Sequence, residues 1–489
     1  PSSSATQEST SELSRQAKQE VNHRTMTSIS KRHQCLENVN DRISSLPDSI
    51  IVHILSFLPT RCVVATRILS TRWSHLWASV PTLEFSDQSS KRKMRNGDLC
   101  SFMNFVDRVL LFHDLSCLHG FRLSCGPRID YARLNAWIGV AIRRQVQEID
   151  LLLNVEKPFS LPRILFTCKT LVVLKLRNDL QLLNVPASIH LPCLKTLHLP
   201  LTSSNIDLME KLIGGCPVLE DLYIHGFVDG KQELASTIST PALKSLNIYM
   251  IAEEIEIIRS KIVVINAPIL ECVTLEDNCR TLYLLQNLSS LVKAHVNVGD
   301  WYMRRVGVGA KLRLHREFLF LRHITNVKFL SLGIRTMKVF HLADDDTWPV
   351  FPNLTHLELG VHKGYGWRRL PDLLIGAPNL AVVVLKNENN HHFRDCEYSE
   401  EEVSLIELQG MPICLLSHLK EVVIIGFKGL QDELKLIKYF LENALVLNKM
   451  TINHHIRAVE EEGKFLKKLL MFPKGSKNCQ IEVSGEYIR

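Results

Sequence analysis

Three successive stretches decide the fold: Leu171-Val-Val-Leu174-Lys-Leu176, Leu194-Lys-Thr-Leu197-His-Leu199 and Leu219-Glu-Asp-Leu222-Tyr-Ile224. Each reads apolar, x, x, apolar, x, apolar. The last two apolar residues stand two apart and therefore share one face of a strand, while the first anchors the turn that enters it. The phrase recurs as Leu243/Leu246/Ile248, Leu270/Val273/Leu275, Leu291/Ala294/Val296, Val327/Leu330/Leu332, Leu354/Leu357/Leu359, Leu380/Val383/Leu385 and Leu419/Val422/Ile424. Weaker copies precede it at Val80/Leu83/Phe85, Leu118/Phe121/Leu123 and Val146/Ile149/Leu151. From residue 146 onward the first positions are separated by 25, 23, 25, 24, 27, 21, 36, 27, 26 and 39 residues, the longer steps marking insertions.

A single strand with one apolar face cannot bury that face alone, but stacked copies share a continuous core. The reading is an α/β chain whose main body is a curved solenoid with a parallel sheet. Proline-containing turns introduce many copies, at Leu191-Pro, Cys216-Pro, Thr240-Pro, Ala267-Pro, Phe351-Pro and Ala377-Pro. A β-sandwich fits poorly, because turn signals at its spacing of about 8 to 12 residues are missing. The residues between and beside the inward pair would line the concave face: Lys175 and Arg177, His198, Tyr223 and His225, Asn247 and Tyr249, Thr274 and Glu276, Lys293 and His295, His356 and Glu358. Mixed charge with aromatics suits capture of a protein segment. An ordinary solvated strand face is the alternative at each position.

Upstream, Ile43, Leu46, Ile50, Ile51, Ile54, Leu55 and Leu58 recur at steps of three and four, as on a helix. Pro47 and Asp48 open it, with Asp48 expected to cap, and Pro59 closes it. A second short helix is expected from Thr60, capped by that hydroxyl. A third follows Ser70 and places Trp73, Leu76 and Trp77 on one side. Three short helices are a small unit, apolar on faces that its own packing cannot cover. Periodicity leaves open whether the rest of the chain or a partner covers them.

The 489 residues exceed one ordinary domain, and 46% hydrophobic content excludes wholesale disorder. Residues 1 to 38 are the exception, polar enough to be expected as a flexible tail. The chain opens on Pro1, and Met26 is an alternative start. Net charge is +7 over the whole length, milder than the concentrated footprint of a nucleic-acid binder. No apolar run reaches the roughly 20 residues that span a bilayer, and the polar N-terminus lacks a signal-peptide core. A soluble chain in the cytoplasm or nucleus is expected, with no membrane partner. Thirteen cysteines without a CxxC pair fit buried thiols in a reducing compartment, leaving the sequons at Asn287 and Asn353 unused.

Other signals are weaker. Gly307-Val-Gly309 lacks the third glycine and the strand-to-helix setting of a phosphate loop. His391-His392 with Cys396, and His454-His455, offer metal-ligand types without four identifiable ligands, so no metal and no cofactor are expected. Lys91-Arg-Lys-Met-Arg95 reads as a solvated linker more readily than as an import or nucleic-acid patch. No nucleophile elbow, HExxH, Walker loop or spaced carboxylate pair points to catalysis.

The stretch from Asp41 through Leu46-Pro-Asp and Ile54-Leu-Ser-Phe-Leu-Pro59 to Arg72-Trp73 and Leu76-Trp77 resembles the F-box of plant F-box/leucine-rich-repeat proteins. Cys216-Pro-Val-Leu-Glu-Asp-Leu is similar to that family's repeat phrase. Cys414-Leu-Leu-Ser-His-Leu-Lys, Gly426-Phe, Asp432-Glu-Leu, Tyr439-Phe-Leu-Glu-Asn and Leu469-Leu-Met-Phe-Pro-Lys resemble the FBD domain. The chain departs from the usual F-box at Ser49-Ile50, Cys62 and Arg67. The resemblance implies a tail at 1–38, an F-box at 39–80, leucine-rich repeats at 81–409 and an FBD domain capping the solenoid at 410–489. It also implies a non-catalytic receptor that docks on a Skp-family adaptor, and through it a cullin, within a ubiquitin ligase. The repeats would then hold an unidentified protein substrate. Docking would fall to Leu46, Pro47, Ile50, Ile54, Leu55, Leu58 and Pro59, with Trp73 and Trp77 bracing the third helix. A repeat scaffold acting outside a ubiquitin ligase is the alternative.

Overall fold

The computed structural model describes residues 43, 45–87, 96–114, 117–154, 160–177, 186, 188–201, 206–227, 234–251, 261–278, 281–299, 320–342, 348–361, 369–387, 411–454 and 459–485. The polar tail at 1–38, the basic run at 91–95, Gly307 to Gly309, His391, His392, Cys396 and His455 lie outside these. The chain forms two compact units, Pro1–Val80 and Pro81–Arg489.

The first unit holds α1 (Asp48–Leu55), α2 (Thr60–Ala65) and α3 (Trp73–Leu76), the last running into a tight turn at Trp77–Ser79. Its core is Ile51, Leu55, Val63, Trp73, Leu76 and Val80, with Leu46, Val52 and Trp77 packed against it. Both indoles thus serve one core, as their spacing implies. Both capping expectations are corrected. Pro47 and Pro59 are the cap residues, and neither helix start has a side-chain cap bond. Each proline supplies the extended backbone that enters a helix, which moves Asp48 and Thr60 to first helical positions. The Asp48 carboxylate is used instead by Arg72, whose Nε donates to Oδ1 at 2.8 Å and whose Nη2 also bonds the Leu46 carbonyl. This pair clips the start of α1 to the approach of α3.

The second unit is organised by one parallel sheet of fifteen strands. These are β1 (Thr82–Ser86), β2 (Gly120–Cys125), β3 (Glu148–Leu153), β4 (Val173–Arg177), β5 (Thr196–Leu201), β6 (Asp221–Phe227), β8 (Ser245–Ile251), β10 (Cys272–Asp277), β12 (Lys293–Val298), β13 (Phe329–Leu332), β14 (His356–Val361), β15 (Val382–Asn387), β16 (Glu421–Phe427), β17 (Lys449–His454) and β18 (Gln480–Gly485), in that spatial order. The repeat phrase marks β1 to β6, then β8, β10 and β12 to β16. Register aligns the motif: Leu174, Leu197 and Leu222 are cross-strand partners, and Leu246, Val273 and Ala294 continue the row. Both inward positions and the anchor are buried in almost every copy, with Leu171, Leu194, Leu219, Leu243 and Leu270 fully shielded. Each such leucine contributes roughly 1.5–3 kcal/mol relative to exposure.

The return paths differ along the sheet. Helices α5 (Tyr131–Arg143), α6 (Ile206–Gly214), α7 (Ile334–Leu342), α8 (Leu370–Gly376), α9 (Ile413–Ser417), α10 (Gln431–Asn443) and α11 (Val459–Met471) separate sheet strands, and α4 (Asn96–Phe112) lies between β1 and β2. In three central repeats the return is a strand: β7 (Leu234–Ser239), β9 (Lys261–Asn266) and β11 (Thr281–Gln286) form a second parallel sheet, ordered β11, β9, β7. Leu201, Ile224, Ile248 and Met250 of the large sheet surround a small cavity with Ile238, Val263 and Tyr283 of the small one. The two layers therefore share one core.

The C-terminal module continues the ladder rather than forming a separate body. Strand β16 pairs with β15 through Val383↔Val422 and Leu385↔Ile424, and β17 and β18 follow. Strand β17 begins at Lys449, because the turn at 444–447 precedes it and leaves Leu445 exposed. Glu433, Leu434, Ile437, Phe440 and Leu441 are the buried stripe of α10. A bulge shifts the register between Ile425 and Phe427. Gly426 sits there at φ 76°, where an added Cβ would lie 2.6 Å from the Asn387 carbonyl oxygen. The Glu433 carboxylate, 3% exposed, accepts from Lys428 N and Leu430 N, both at 3.0 Å, and from Asn387 Nδ2 at 2.8 Å. It closes the start of α10 and ties it to β15.

Removing that carboxylate orphans three donors at once. Glu433→Ala should lower stability by roughly 1–3 kcal/mol. Chemical denaturation measures this directly, and an unchanged midpoint would show that solvent replaces the three bonds without cost.

Candidate functional site

Two surfaces collect the residues singled out in the sequence. On the helical unit, α1 is apolar on more of its circumference than the unit can bury. Ile51 and Leu55 point into the core, whereas Ile50 and Ile54 on the adjoining stripe are each 45% exposed. Leu58 is exposed in line with them at the next four-residue step, and Pro47 and Pro59 are exposed at the two helix entries. Leu46 and Trp77 are half-buried against the core. Leu55 and Trp73, 2% and 7% exposed, lie in the unit's own core, Trp73 where bracing the third helix requires it. Four residues belong to the exposed set without having been singled out for docking: Ile43, Phe57, Ile68 and Leu69. Phe57, 75% exposed, rests edge-on against His53 at 5.1 Å between ring centres. Its signal was present in the stretch Ile54-Leu-Ser-Phe-Leu-Pro59, as an aromatic three residues after Ile54 and so on the spacing of the exposed stripe.

The second surface is the open face of the large sheet. In-register pairing sets two rows of side chains there. One runs Asp150, Lys175, His198, Tyr223, Asn247, Thr274, His295, Ser331, Glu358. Two residues further along each strand stand Arg177, His225, Tyr249 and Glu276. Two residues earlier, Lys293 and His356 belong to the row at the strand starts, both exposed. Every residue expected on this face is therefore on it.

Its charges are bonded to one another. Arg177 Nη2 meets Asp150 Oδ2 at 2.9 Å, and Lys175 Nζ meets Glu148 Oε1 at 3.7 Å. Arg122 reaches Glu148 at 3.4 Å and Glu84 at 3.9 Å. Burial raises the Asp150 carboxyl above the ordinary range, opposed by Arg177 and Lys175. Across the middle of the sheet, His198 and Tyr223 stack at 4.1 Å with 17° between their planes. Further on, Glu276 Oε1 meets His295 Nε2 at 2.8 Å, and its Oε2 accepts from Asn297 Nδ2 at 2.9 Å and Arg335 Nη1 at 3.3 Å. His295 Nδ1 lies 2.8 Å from Ser331 Oγ, which donates to Glu358 Oε1 at 3.1 Å, and Lys386 Nζ bonds the same oxygen at 2.6 Å. Sequence reading found Glu276, His295 and Glu358 but not these partners. Arg122, Asp150 and Ser331 sit between the two inward residues of their own copies and were legible by that offset. Arg335 comes from α7, outside any strand pattern.

Among the described residues no cluster of His, Cys, Asp or Glu could hold a metal ion, and no helix is long and apolar enough to cross a membrane. The described cysteines are all unpaired thiols.

Comparison with known proteins finds three family matches: the F-box domain over residues 43–85, the LRR repeats of FBD-associated F-box protein At5g56370 over 134–295, and FBD over 407–452. Among full-length relatives, Arabidopsis thaliana F-box/LRR-repeat protein At4g14103 is 37% identical over 72% of this chain and 93% of its own. F-box/LRR-repeat protein At4g14096 of the same plant is 33% identical over 92% of this chain and 96% of its own. F-box/FBD/LRR-repeat protein At5g22660 is 33% identical over 91% and 96% respectively.

The stack in the middle of the face carries a pH signature. Burial first, then Lys175, Arg177 and His225, push the His198 imidazole down to about 4. An unfolded chain takes up that proton near the ordinary value of about 6.5, before the folded one does. The contribution of neutral His198 should therefore be intact above about pH 6.5 and lost as pH falls toward 4. Denaturation at stepped pH should show a smaller acid loss for His198→Phe than for wild type, and identical acid slopes would refute the assignment.

Proposed function

Because the chain belongs to the plant F-box/FBD/leucine-rich-repeat family, we propose that it is the substrate-recognition subunit of a Skp-cullin-F-box type ubiquitin ligase. The helical unit docks on a Skp-type adaptor, the adaptor connects it to a cullin, and the open face of the large sheet holds the protein to be modified. Transfer chemistry belongs to the partners, and this chain acts by placing one protein beside another in the cytoplasm or nucleus.

The observation that carries the reading is the exposed apolar set of Ile50, Ile54, Phe57, Leu58, Ile68 and Leu69 on a unit whose own core is already complete. Water contact with that much aliphatic and aromatic surface is unfavourable by about 25 cal/mol per Å², and an occupant relieves it. Leu46, Pro47 and Pro59 frame the same stripe. Few residues dominate such interfaces, and they are the ones desolvated at the centre. Ile50 and Ile54 are the natural centre, one turn apart on one helix. The sheet face supports the receptor half of the reading. Lys175, Arg177, His198, Tyr223, His225, Asn247, Tyr249, Glu276, His295 and Glu358 form a graded surface across successive strands.

Ile50→Asp combined with Ile54→Asp should reduce co-purification of a Skp-type adaptor by at least tenfold, since two charges would be buried without partners. Both side chains are already half in water, so the far-ultraviolet circular dichroism and the melting temperature should stay at wild-type values. Undiminished adaptor binding by a folded double variant would remove Ile50 and Ile54 from the docking surface, and a wild-type chain that retains no adaptor would leave a repeat scaffold acting outside a ubiquitin ligase.

A further inference from the structure

The charges expected to select a substrate are occupied. On the β1 to β4 side of the open face, Arg122, Lys175 and Arg177 answer Glu84, Glu148 and Asp150. On the β10 to β15 side, Glu276 is held by Arg335, Asn297 and His295, and Glu358 by Lys386 and Ser331. Between these two fields lie the side chains of β5, β6 and β8: His198, Tyr223, His225, Asn247 and Tyr249. None of them is an acid or a strong base.

We propose that the protein segment held by this face is uncharged and presents aromatic side chains, which pack on the rings of His198, Tyr223, His225 and Tyr249. The inference rests on the receptor reading above and specifies what that receptor selects. A charged segment laid here would lose its hydration opposite groups that carry no compensating charge, or would have to break an existing pair to gain one. A neutral ring loses little hydration and gains stacking partners already aligned, as His198 and Tyr223 are at 4.1 Å. Tyr249 offers the largest free area of the group, 43% exposed. Tyrosine on a strand is rigid, so little side-chain freedom is lost when it is covered.

Two further facts keep the patch neutral. His198 is unprotonated at physiological pH, and burial, with help from Glu276 and Tyr223, raises the Tyr249 phenol further from ionisation. Asp221 and Lys293 stand in the row at the strand starts, Asp221 accepting from the Thr196 hydroxyl at 3.4 Å. They border the patch on one side and do not enter it. Three strands at about 4.8 Å spacing give a platform roughly 10 Å across, matching three residues of extended chain at about 3.3 Å each.

The test uses the full chain bound to its adaptor, with a phage-displayed library of random peptides as the probe. Enriched peptides should be poor in Asp, Glu, Lys and Arg and rich in Phe, Tyr and Trp. Their affinity, read by fluorescence anisotropy on synthetic copies, should change less than about twofold between low and high salt. Tyr223→Ala with Tyr249→Ala should weaken them at least tenfold while adaptor binding is unchanged. Tyr249→Phe, which keeps the ring at a position 43% exposed, should leave affinity within about twofold. Charged peptides with salt-sensitive binding that requires Lys175 or Arg177 would overturn the proposal and retain the receptor reading. Peptides indifferent to both the tyrosine pair and Lys175→Ala with Arg177→Ala would overturn the two together. A library that yields nothing competing for this face would overturn the proposal as well.

Discussion

The second unit depends on one constraint: a strand with two inward residues has no core until its neighbour supplies one. Leu174 and Leu176 are shielded because Leu151 on one side and Leu197 and Leu199 on the other lie in the same layer. The parallel ladder satisfies the backbone and stacks the apolar rows in one operation, and each copy is stable only through its neighbours. Everything on the open face inherits its position from this. His198 meets Tyr223 because register brings equivalent offsets of successive copies side by side, and Arg177 reaches Asp150 diagonally, from two residues beyond that residue's partner Lys175.

The two surfaces answer to opposite logic. The helical unit exposes aliphatic and aromatic groups that water disfavours, so its unfinished business is hydrophobic and unspecific in direction. On the sheet face polar groups are bonded in chains, Glu276 to His295 to Ser331 to Glu358 to Lys386. Such chains fix rotamers and hold a surface of defined shape. One suits a partner that is always the same, the other a partner that must be told from many.

Much of this was readable from the residues. The six-residue phrase located thirteen of the fifteen strands of the large sheet, because alternation and anchor are set by packing that every copy repeats. It did not locate β18, where Ile481 and Val483 alternate with polar residues but Asn478 stands at the anchor position. Leu447, Met450 and Ile452 do fit the phrase, and reading it there would have placed β17 correctly. The second sheet was hidden for a different reason: its β-branched run Ile262 to Ile265 follows no fixed distance from the motif, and only the three-dimensional return path makes it a strand. Residue types on the open face were legible from offset alone. Their pairing was not, since Lys175 bonds across to Glu148 and Glu276 to an arginine from a helix 59 residues away. That difference turned a mixed-charge face into a largely compensated one with a neutral middle.

The bond from Asn387 to Glu433, with the unbroken pairing of β15 and β16, bears on how such chains can be recombined. Names divide repeats from the terminal module, yet the sheet crosses that line without a seam. An exchange of C-terminal modules between relatives cut there would separate a buried carboxylate from its donor and strip β15 of its neighbour. Cuts near Val80, where the compact units divide, avoid both losses. Evolution by swapping parts should therefore have been easier at the front of this chain than at its back.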